Sequence, residues 1–177
     1  MKTIGISTHK APTLWVLVAD GKQASIYHLG KGEKVIPLPG NAKHPHYETS
    51  AALELSEVAG MRWQAQSAEE YQVGRNATGM VFESAGGARH MSEPHMDARR
   101  EVKEHFASRI AGEVNRARAK KSFDQLVVIA PPQMLGALRE QFDKDTAAAI
   151  RVELAKELAQ LPPDELLPHV RKALEGK

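Results

Sequence analysis

The sequence predicts an α/β domain in which a mixed β-sheet is flanked by helices. Two apolar runs, Leu14–Ala19 and Leu126–Ala130, are too short for typical helices and rich in β-branched residues, as buried strands are. Between them, a periodic apolar pattern from about Asp97 to Lys121 predicts one long helix. A chain of 177 residues has the ordinary size of one domain, so we expect residues 1–177 to fold as a single unit.

The N-terminal part has the pattern of an antiparallel meander. Asp20-Gly21 predicts a tight turn after the first strand, and Gln23–Leu29 alternates weakly, as a returning strand does. Gly30-Lys31-Gly32 predicts a second turn. Lys34–Leu38 then predicts a third strand at a sheet edge, where Pro37 is tolerated.

Residues 41–84 have the weakest pattern in the chain. Ser50–Ala59, followed by Gly60, predicts a short helix, and Val81–Glu83 predicts a short strand. A connection of this length inside a compact domain is usually functional or mobile. We therefore interpret the rest of residues 41–84, outside the predicted helix and strand, as a connecting segment that covers a partner.

The predicted long helix has one apolar stripe and charges that suit its ends. Asp97 lies near the positive end of the helix dipole, and Lys120 and Lys121 lie near the negative end. A strand, a long helix and the strand Leu126–Ala130 together indicate a crossover with parallel pairing. The stripe consists of apolar residues at three- and four-residue spacing: Val102, Phe106, Ile110, Val114 and Ala117.

Shorter elements are expected after the second apolar run. Gln133–Phe142 and Thr146–Ile150 predict two helices, and Arg151–Leu158 fits either a strand or a helix. Pro162-Pro163-Asp164-Glu165 has the composition of a helix start, which predicts a terminal helix to about Leu174.

The composition excludes several kinds of site. The chain has no cysteine, which excludes disulfides, thiolate nucleophiles and cysteine-based zinc sites. Met1–Pro12 lacks the apolar run of a signal peptide, and no stretch approaches the roughly 20 apolar residues that cross a bilayer. We therefore expect a cytoplasmic protein without a membrane partner. The net charge of +2 permits an anionic partner without requiring one.

Gly86, Gly87, Arg89 and His90 form the sharpest candidate site. Paired glycines allow backbone amides to approach a ligand without a Cβ atom in the way, and the helix start that follows adds partial positive charge. Arg89 adds a bidentate donor for an anion such as phosphate. The alternative is a tight turn without a ligand, in which the two glycines provide positive φ angles.

Basic residues of the long helix extend this candidate site. Arg99, Arg100 and Lys103, together with Arg89, predict a surface that contacts the phosphates of a nucleic acid. Ordinary pairing of these cations with neighbouring glutamates on a solvated helix face explains the same residues without a ligand.

The histidines give a weaker metal hypothesis. His90, His95 and Asp97 lie close together in the sequence, and imidazole and carboxylate are common metal ligands. Their spacing matches no established metal motif, and His44-Pro45-His46 is more typical of a solvated loop. We therefore predict no metal and no other cofactor.

Four blocks of the sequence resemble one family of bacterial proteins. They are similar in order and spacing to the proteins "required for attachment to host cells". That label implies a role at a cell surface, which the lack of a signal-peptide pattern in Met1–Pro12 does not support. The blocks are Trp15–Asp20; Phe82–Ser84 with Gly86–His90; Phe123–Pro132; and Leu135-Gly136 with Leu138-Arg139.

This family is in turn similar in fold to the middle domain of the eukaryotic and archaeal class 1 peptide-release factors. In that domain a Gly-Gly-Gln loop precedes a long helix and then a strand. Gly86 and Gly87 occupy the equivalent place here, but Ala88 stands where the glutamine would be. The resemblance therefore implies a sheet domain of that type and a role near RNA or the ribosome, without peptidyl-tRNA hydrolysis.

From these features we expect a non-catalytic binding domain that presents Gly86–His90 and the basic helix to RNA or a ribosome-associated partner. One alternative is a hydrolase of a phosphorylated small molecule or a phosphodiester, with His90 as the acid or base. The other alternative is a protein-interaction module that uses residues 41–84.

Overall fold

A computed structural model describes residues 12–37, 47–67 and 93–176, with side chains for 12–32, 52–67 and 100–176. These described residues form five strands and four helices. The elements are β1 (Leu14–Ala19), β2 (Gln23–Pro37), β3 (Tyr47–Gln64), α1 (Glu93–Ala119), β4 (Gln125–Ala130), α2 (Pro132–Gln141), α3 (Lys144–Ala149), β5 (Ile150–Ala155) and α4 (Pro163–Glu175).

The strands form one mixed five-stranded sheet in the order β3-β2-β1-β4-β5. β1 pairs antiparallel with β2, and β2 pairs antiparallel with β3. β4 lies parallel to β1 on one side and to β5 on the other. The predicted α/β class and the parallel pairing of Leu126–Ala130 are therefore confirmed. The strand expected at Val81–Glu83 lies outside the described residues.

Each face of the sheet has its own apolar core. Trp15 and Leu17 of β1 pack on one face against residues of α1 and α2. Val16 and Val18 point to the other face, where they pack with Leu166 of α4. The alternation follows from the two-residue period of a strand, so β1 is buried on both sides by helices.

The apolar stripe predicted for the long helix is confirmed from Phe106 to Ala117, whereas Val102 is only half-buried and the helix begins before Asp97. Phe106, Ile110, Val114 and Ala117 are buried. The helix has 27 residues, so it is roughly 40 Å long, whereas the six-residue β1 spans only roughly 20 Å. Residues 100–105 are exposed or half-buried. Residues 100–105 of α1 therefore lie at the margin of the core.

The turn predicted at Gly30-Lys31-Gly32 is wrong. β2 continues through these residues to Pro37, so Lys34–Pro37 is the end of the second strand and not a third strand. An ideal Cβ atom on Gly32 would collide with the side chain of Glu54 on β3. This glycine therefore permits a close cross-strand approach, which is a known role of glycine inside a strand.

The helix predicted at Ser50–Ala59 is also wrong, because these residues belong to β3. Alanine, leucine and glutamate favour a helix locally, but propensity is a weak preference that pairing with a neighbouring strand overrides. Ala51–Glu57 is paired residue by residue with Tyr27–Glu33 of β2. The segment at about 41–84 thus contributes a strand to the sheet.

A bulge interrupts β3 after this regular stretch. Ser25 pairs with Arg62 and Tyr27 pairs with Glu57, so residues 58–61 lie opposite Ile26. Gly60 adopts φ 75°, a left-handed conformation that glycine reaches without steric cost. An ion pair of 3.1 Å between Arg62 and Glu57 spans the bulge.

The C-terminal elements agree with the sequence patterns. The two helices expected after β4 are α2 and α3, and the terminal helix is α4. Asp143 caps α3 by accepting a hydrogen bond of 2.7 Å from the backbone N–H of Thr146. The ambiguous segment Arg151–Leu158 is a strand as far as Ala155.

Candidate nucleic-acid interface

The structure describes part of the predicted site. Gly86, Gly87, Arg89 and His90 lie outside the described residues, so the Gly-Gly loop stays a prediction. Arg99 belongs to α1, but its side chain is not among those described. The side chains of Arg100 and Lys103 are described, and they differ in what they contact.

Lys103 lies against the turn between β1 and β2. An ideal Cβ atom on Gly21 would lie 3.6 Å from the Cε atom of Lys103, so the lysine side chain passes close to this glycine. Lys103 is exposed, and no described residue forms a hydrogen bond or ion pair with it. Its side chain therefore lies at the carboxyl end of β1.

The turn itself is held by a buried carboxylate. Asp20 is 4% exposed, and its Oδ1 atom accepts hydrogen bonds from the backbone N–H groups of Lys22 and Gln23 at 2.6 and 2.8 Å. The Nε2 atom of Gln160 lies 3.4 Å from Oδ2. This arrangement is an Asx turn, in which the side chain replaces a backbone acceptor. The turn predicted at Asp20-Gly21 is therefore confirmed, and Asp20 has a structural role in it.

A polar cleft of about 480 Å³ lies between this turn and the residues that follow β3. Four of its lining residues are glutamines, whose side-chain amides both donate and accept hydrogen bonds. The cleft thus combines amides, a hydroxyl group and a lysine. The lining consists of Gly21, Lys22, Gln23, Gln64, Ala65, Gln66, Ser67 and Gln160.

Hydrogen bonds fix the walls of the cleft. The backbone N–H of Ala65 donates to the carbonyl oxygen of Lys22 at 2.7 Å, which joins the two sides at their base. The Nε2 atom of Gln23 donates to the carbonyl oxygen of Ala159 at 2.8 Å. Because these hydrogen bonds are made within the protein, the walls of the cleft are already ordered before a ligand binds. Binding therefore costs less conformational entropy.

The other cations of α1 with described side chains contact groups of the protein itself. Nε of Arg100 donates to Glu104 at 2.8 Å, and Arg116 forms an ion pair with Glu113. Arg118 donates to the carbonyl oxygen of Phe123 at 2.7 Å. At these positions the alternative of ordinary pairing on a solvated face holds. Of the two predicted site cations with described side chains, Lys103 is therefore the stronger candidate.

A second cleft, of about 450 Å³, lies beside β5. Arg139 occupies its wall and holds Glu153 through two contacts of 3.0 Å from Nε, as well as a contact from Nη2. The hydrogen bond and the charge of Glu153 raise the pKa of Arg139 above its ordinary value. Nη1 of Arg151 donates to Gln125 at 2.9 Å. Since the cations here already bind internal partners, we do not assign the interface to this cleft.

The metal hypothesis is not tested by the described residues. Within residues 12–37, 47–67 and 93–176, no group of three or more histidine, aspartate or glutamate residues is arranged to hold a metal ion. His90 and His44-Pro45-His46 lie outside these ranges, and the side chains of His95 and Asp97 are not described.

None of the described helices is both long enough and apolar enough to cross a membrane.

Sequence reasoning did not single out the glutamines of the cleft. Gln23, Gln64 and Gln160 are far apart in the chain, and glutamine belongs to no motif that marks a site. One available signal was the position of Asp20-Gly21 directly after β1, because open α/β sheets bind ligands at the carboxyl ends of their parallel strands.

Comparison with known proteins identifies a family for this chain. A family model described as "Protein required for attachment to host cells" matches residues 15–170. This range contains Lys103, the β1–β2 turn and all residues that line the cleft. No curated protein matches the chain.

Proposed function

The chain belongs to the family described as "Protein required for attachment to host cells", and we propose that its surface around Lys103 and the β1–β2 turn binds RNA, either free or within the ribosome. The activity we propose is binding and not catalysis. The surface lies inside the range that the family model matches.

One observation carries this proposal, namely the position of Lys103 over Gly21 beside the glutamine-lined cleft. A lysine ammonium group pairs with phosphate as a point charge. Glutamine side chains bind phosphate oxygens, ribose hydroxyls and base edges in protein–RNA complexes. RNA offers all of these groups along one chain, so this mixture of cations and neutral polar groups suits it.

The direction of α1 relates this cleft to the predicted loop. Lys103 lies over the end of β1, whereas Asp124, just after α1, donates from its backbone N–H to Thr13 at the start of β1, at 2.8 Å. The helix therefore runs from the carboxyl ends of the parallel strands towards their amino ends. Gly86–His90 and Arg99 precede Lys103 in the chain, and we include them in the proposed surface.

The resemblance to release-factor middle domains supports RNA over other anions. In those domains a Gly-Gly-Gln loop precedes a long helix, and Gly86 and Gly87 precede α1 here. Because Ala88 replaces the glutamine, the proposal keeps the partner and omits the hydrolysis.

Binding of bulk ribosomal RNA, followed by fluorescence anisotropy across a range of salt concentrations, tests the proposal. Lys103→Glu should weaken binding at least about tenfold and make it less salt-dependent, because each lost phosphate contact removes about 0.7 from the logarithmic salt slope for a single strand. Lys120→Glu is the matched control, with the same charge change near the other end of α1, and should change binding less than about twofold. The double variant Arg89→Ala plus Arg99→Glu tests the loop in the same way.

Two results would contradict the proposal. One is wild-type protein that does not bind RNA at low salt, and the other is equal weakening by Lys103→Glu and Lys120→Glu. A phosphatase and nuclease screen, with and without divalent metal, addresses the hydrolase alternative. Turnover that His90→Ala abolishes would favour that alternative over simple binding.

A further inference from the structure

The two edges of the sheet are built differently. At one edge, β5 is a six-residue strand, and a register shift leaves Arg151 as an extra residue between the pairs Leu126–Ile150 and Val127–Val152. The ion pair of Arg139 with Glu153 lies beside it. A short strand, a bulge and charges are the devices by which proteins prevent further strands from adding to an edge.

The other edge lacks these devices over a long stretch. β3 has 18 residues, and Tyr47–Glu57 pairs with Tyr27–Pro37 without a register shift. Among the described residues, no strand pairs with the outer side of β3. The backbone N–H and C=O groups on that side form a template for one more strand.

An apolar side chain lies on this edge. Leu53 is a large hydrophobic residue in the described part of the chain, and it is 41% exposed. Leu55, two positions on and so on the same face of β3, is 5% exposed and packs in the core beneath α4. The apolar surface on this face therefore continues along the edge strand β3 from the core at Leu55 to the exposed Leu53.

We propose that a second copy of this chain adds its β3 antiparallel to this edge, with the two-fold axis at Leu53, so that two five-stranded sheets join into one. An isologous contact of this kind is the usual form of a homodimer interface. In this register Leu53 lies opposite the partner's Leu53, which removes both side chains from water.

The charges of β3 favour this register. Glu54 lies opposite the partner's Ala52, and Glu57 lies opposite the partner's Thr49, so no glutamate directly faces another within 49–57. An axis placed at Glu54 would instead set that carboxylate against its own copy, and like charges directly opposite each other are destabilising. The paired stretch 49–57 also ends just before the bulge at 58–61.

The dimer proposal depends on different residues from the RNA-binding proposal, so each can be tested independently of the other. Single-cysteine variants test it directly, because the natural chain contains no cysteine. In the proposed register the two Cys side chains of Leu53→Cys have Cβ atoms roughly 5 Å apart, close enough for a disulfide to form with a small adjustment. In Ser56→Cys the two Cβ atoms lie six positions apart along the strands, roughly 20 Å.

Mild oxidation at about 100 µM, a concentration chosen in the range where weak dimers form, should therefore link Leu53→Cys into a covalent dimer and leave Ser56→Cys mostly monomeric. Equal linking of both variants, or no linking of either, would overturn the proposed register.

The mass in solution, measured by light scattering, tests the dimer without any thiol. The wild type should have twice the mass of the single chain. Leu53→Lys should have the mass of one chain, because a lysine at an edge opposes strand addition, whereas Leu53→Val should remain a dimer. Circular dichroism spectra that match the wild type establish that each variant is folded. A wild type that is monomeric at about 100 µM, or a dimer that Leu53→Lys leaves intact, contradicts the proposal.

Discussion

Arg109 of α1 donates a hydrogen bond of 2.6 Å to the backbone carbonyl oxygen of Gln64, the last residue of β3. The guanidinium carbon of the same side chain lies 5.5 Å from the centre of the Phe106 ring. One side chain thus joins the long helix to the wall of the glutamine-lined cleft. Its position depends on the buried stripe of α1, because Phe106 is itself part of the core.

Arg109→Ala should increase the local opening of residues 64–67 and should lower the free energy of unfolding of the domain only slightly. The contact is exposed, so we expect a loss of about 1 kcal/mol in the free energy of unfolding. Hydrogen exchange measured by mass spectrometry should become faster in peptides that contain residues 64–67. Arg109→Lys keeps the charge but loses the planar donor group, and should give an intermediate result. Unchanged exchange in this segment would show that Arg109 does not hold it.

Asp20→Ala should destabilise the β1–β2 turn. It removes the acceptor of two backbone N–H groups, and a lost acceptor at a partly buried site costs about 1–3 kcal/mol. Asp20→Asn keeps an oxygen at the Oδ1 position and should cost less. Urea unfolding of the two variants measures the difference. The Asx turn would not be the source of the stability if both variants lost the same amount.

Lys121→Gly should stabilise the protein. Lys121 follows the end of α1 with φ 56°, a left-handed conformation that costs a residue with a Cβ about 1 kcal/mol. The backbone N–H of Ser122 donates to Ala117 at 3.0 Å and that of Lys121 donates to Arg118 at 2.8 Å. This is the Schellman pattern, in which glycine is the preferred residue.

Thermal unfolding should therefore show a higher Tm for Lys121→Gly than for the wild type. Lys120→Gly is the control, because a glycine one position earlier removes the same charge without relieving a left-handed residue. It should lower the Tm. A Tm that falls in both variants would contradict the argument from backbone conformation.

Thr146→Val should also stabilise the protein. The hydroxyl group of Thr146 is fully buried and has no hydrogen-bond partner among the described residues. Burying such a group costs about 1–3 kcal/mol, and valine replaces it with a methyl group of similar size. Thr146→Ser keeps the hydroxyl and loses the methyl group, so it should destabilise. Urea unfolding distinguishes the two, and a destabilised valine variant would mean that the hydroxyl has a partner after all.

The sequence predicted the fold best where packing and pattern agree. Leu17 and Val128 lie in continuous apolar runs that pair in the sheet, and Phe106, Ile110 and Val114 repeat at helical spacing on the buried side of α1. In both cases the apolar residues occur at the positions that the fold buries, so the sequence pattern predicts the burial.

The β2–β3 pair was not predictable in the same way. Gly32 and Gly60 have opposite roles, the first within a straight strand against Glu54 and the second in a bulge, yet each is a turn signal by composition. The partner strand decides which role applies, and pairing over such a distance leaves little trace in local sequence. The glutamines of the cleft have the same difficulty, since Gln23 and Gln160 meet only through the fold.

Lys103 lies over the β1–β2 turn because α1 packs against the sheet, so the surface around it depends on the folded domain. A molecule that binds near Lys103 only when the helix is formed must also raise the midpoint of thermal denaturation, by an amount that grows with its concentration relative to its Kd. The shift in the midpoint of thermal denaturation therefore measures how much ligand is bound. A thermal-shift assay can screen candidate ligands without a label.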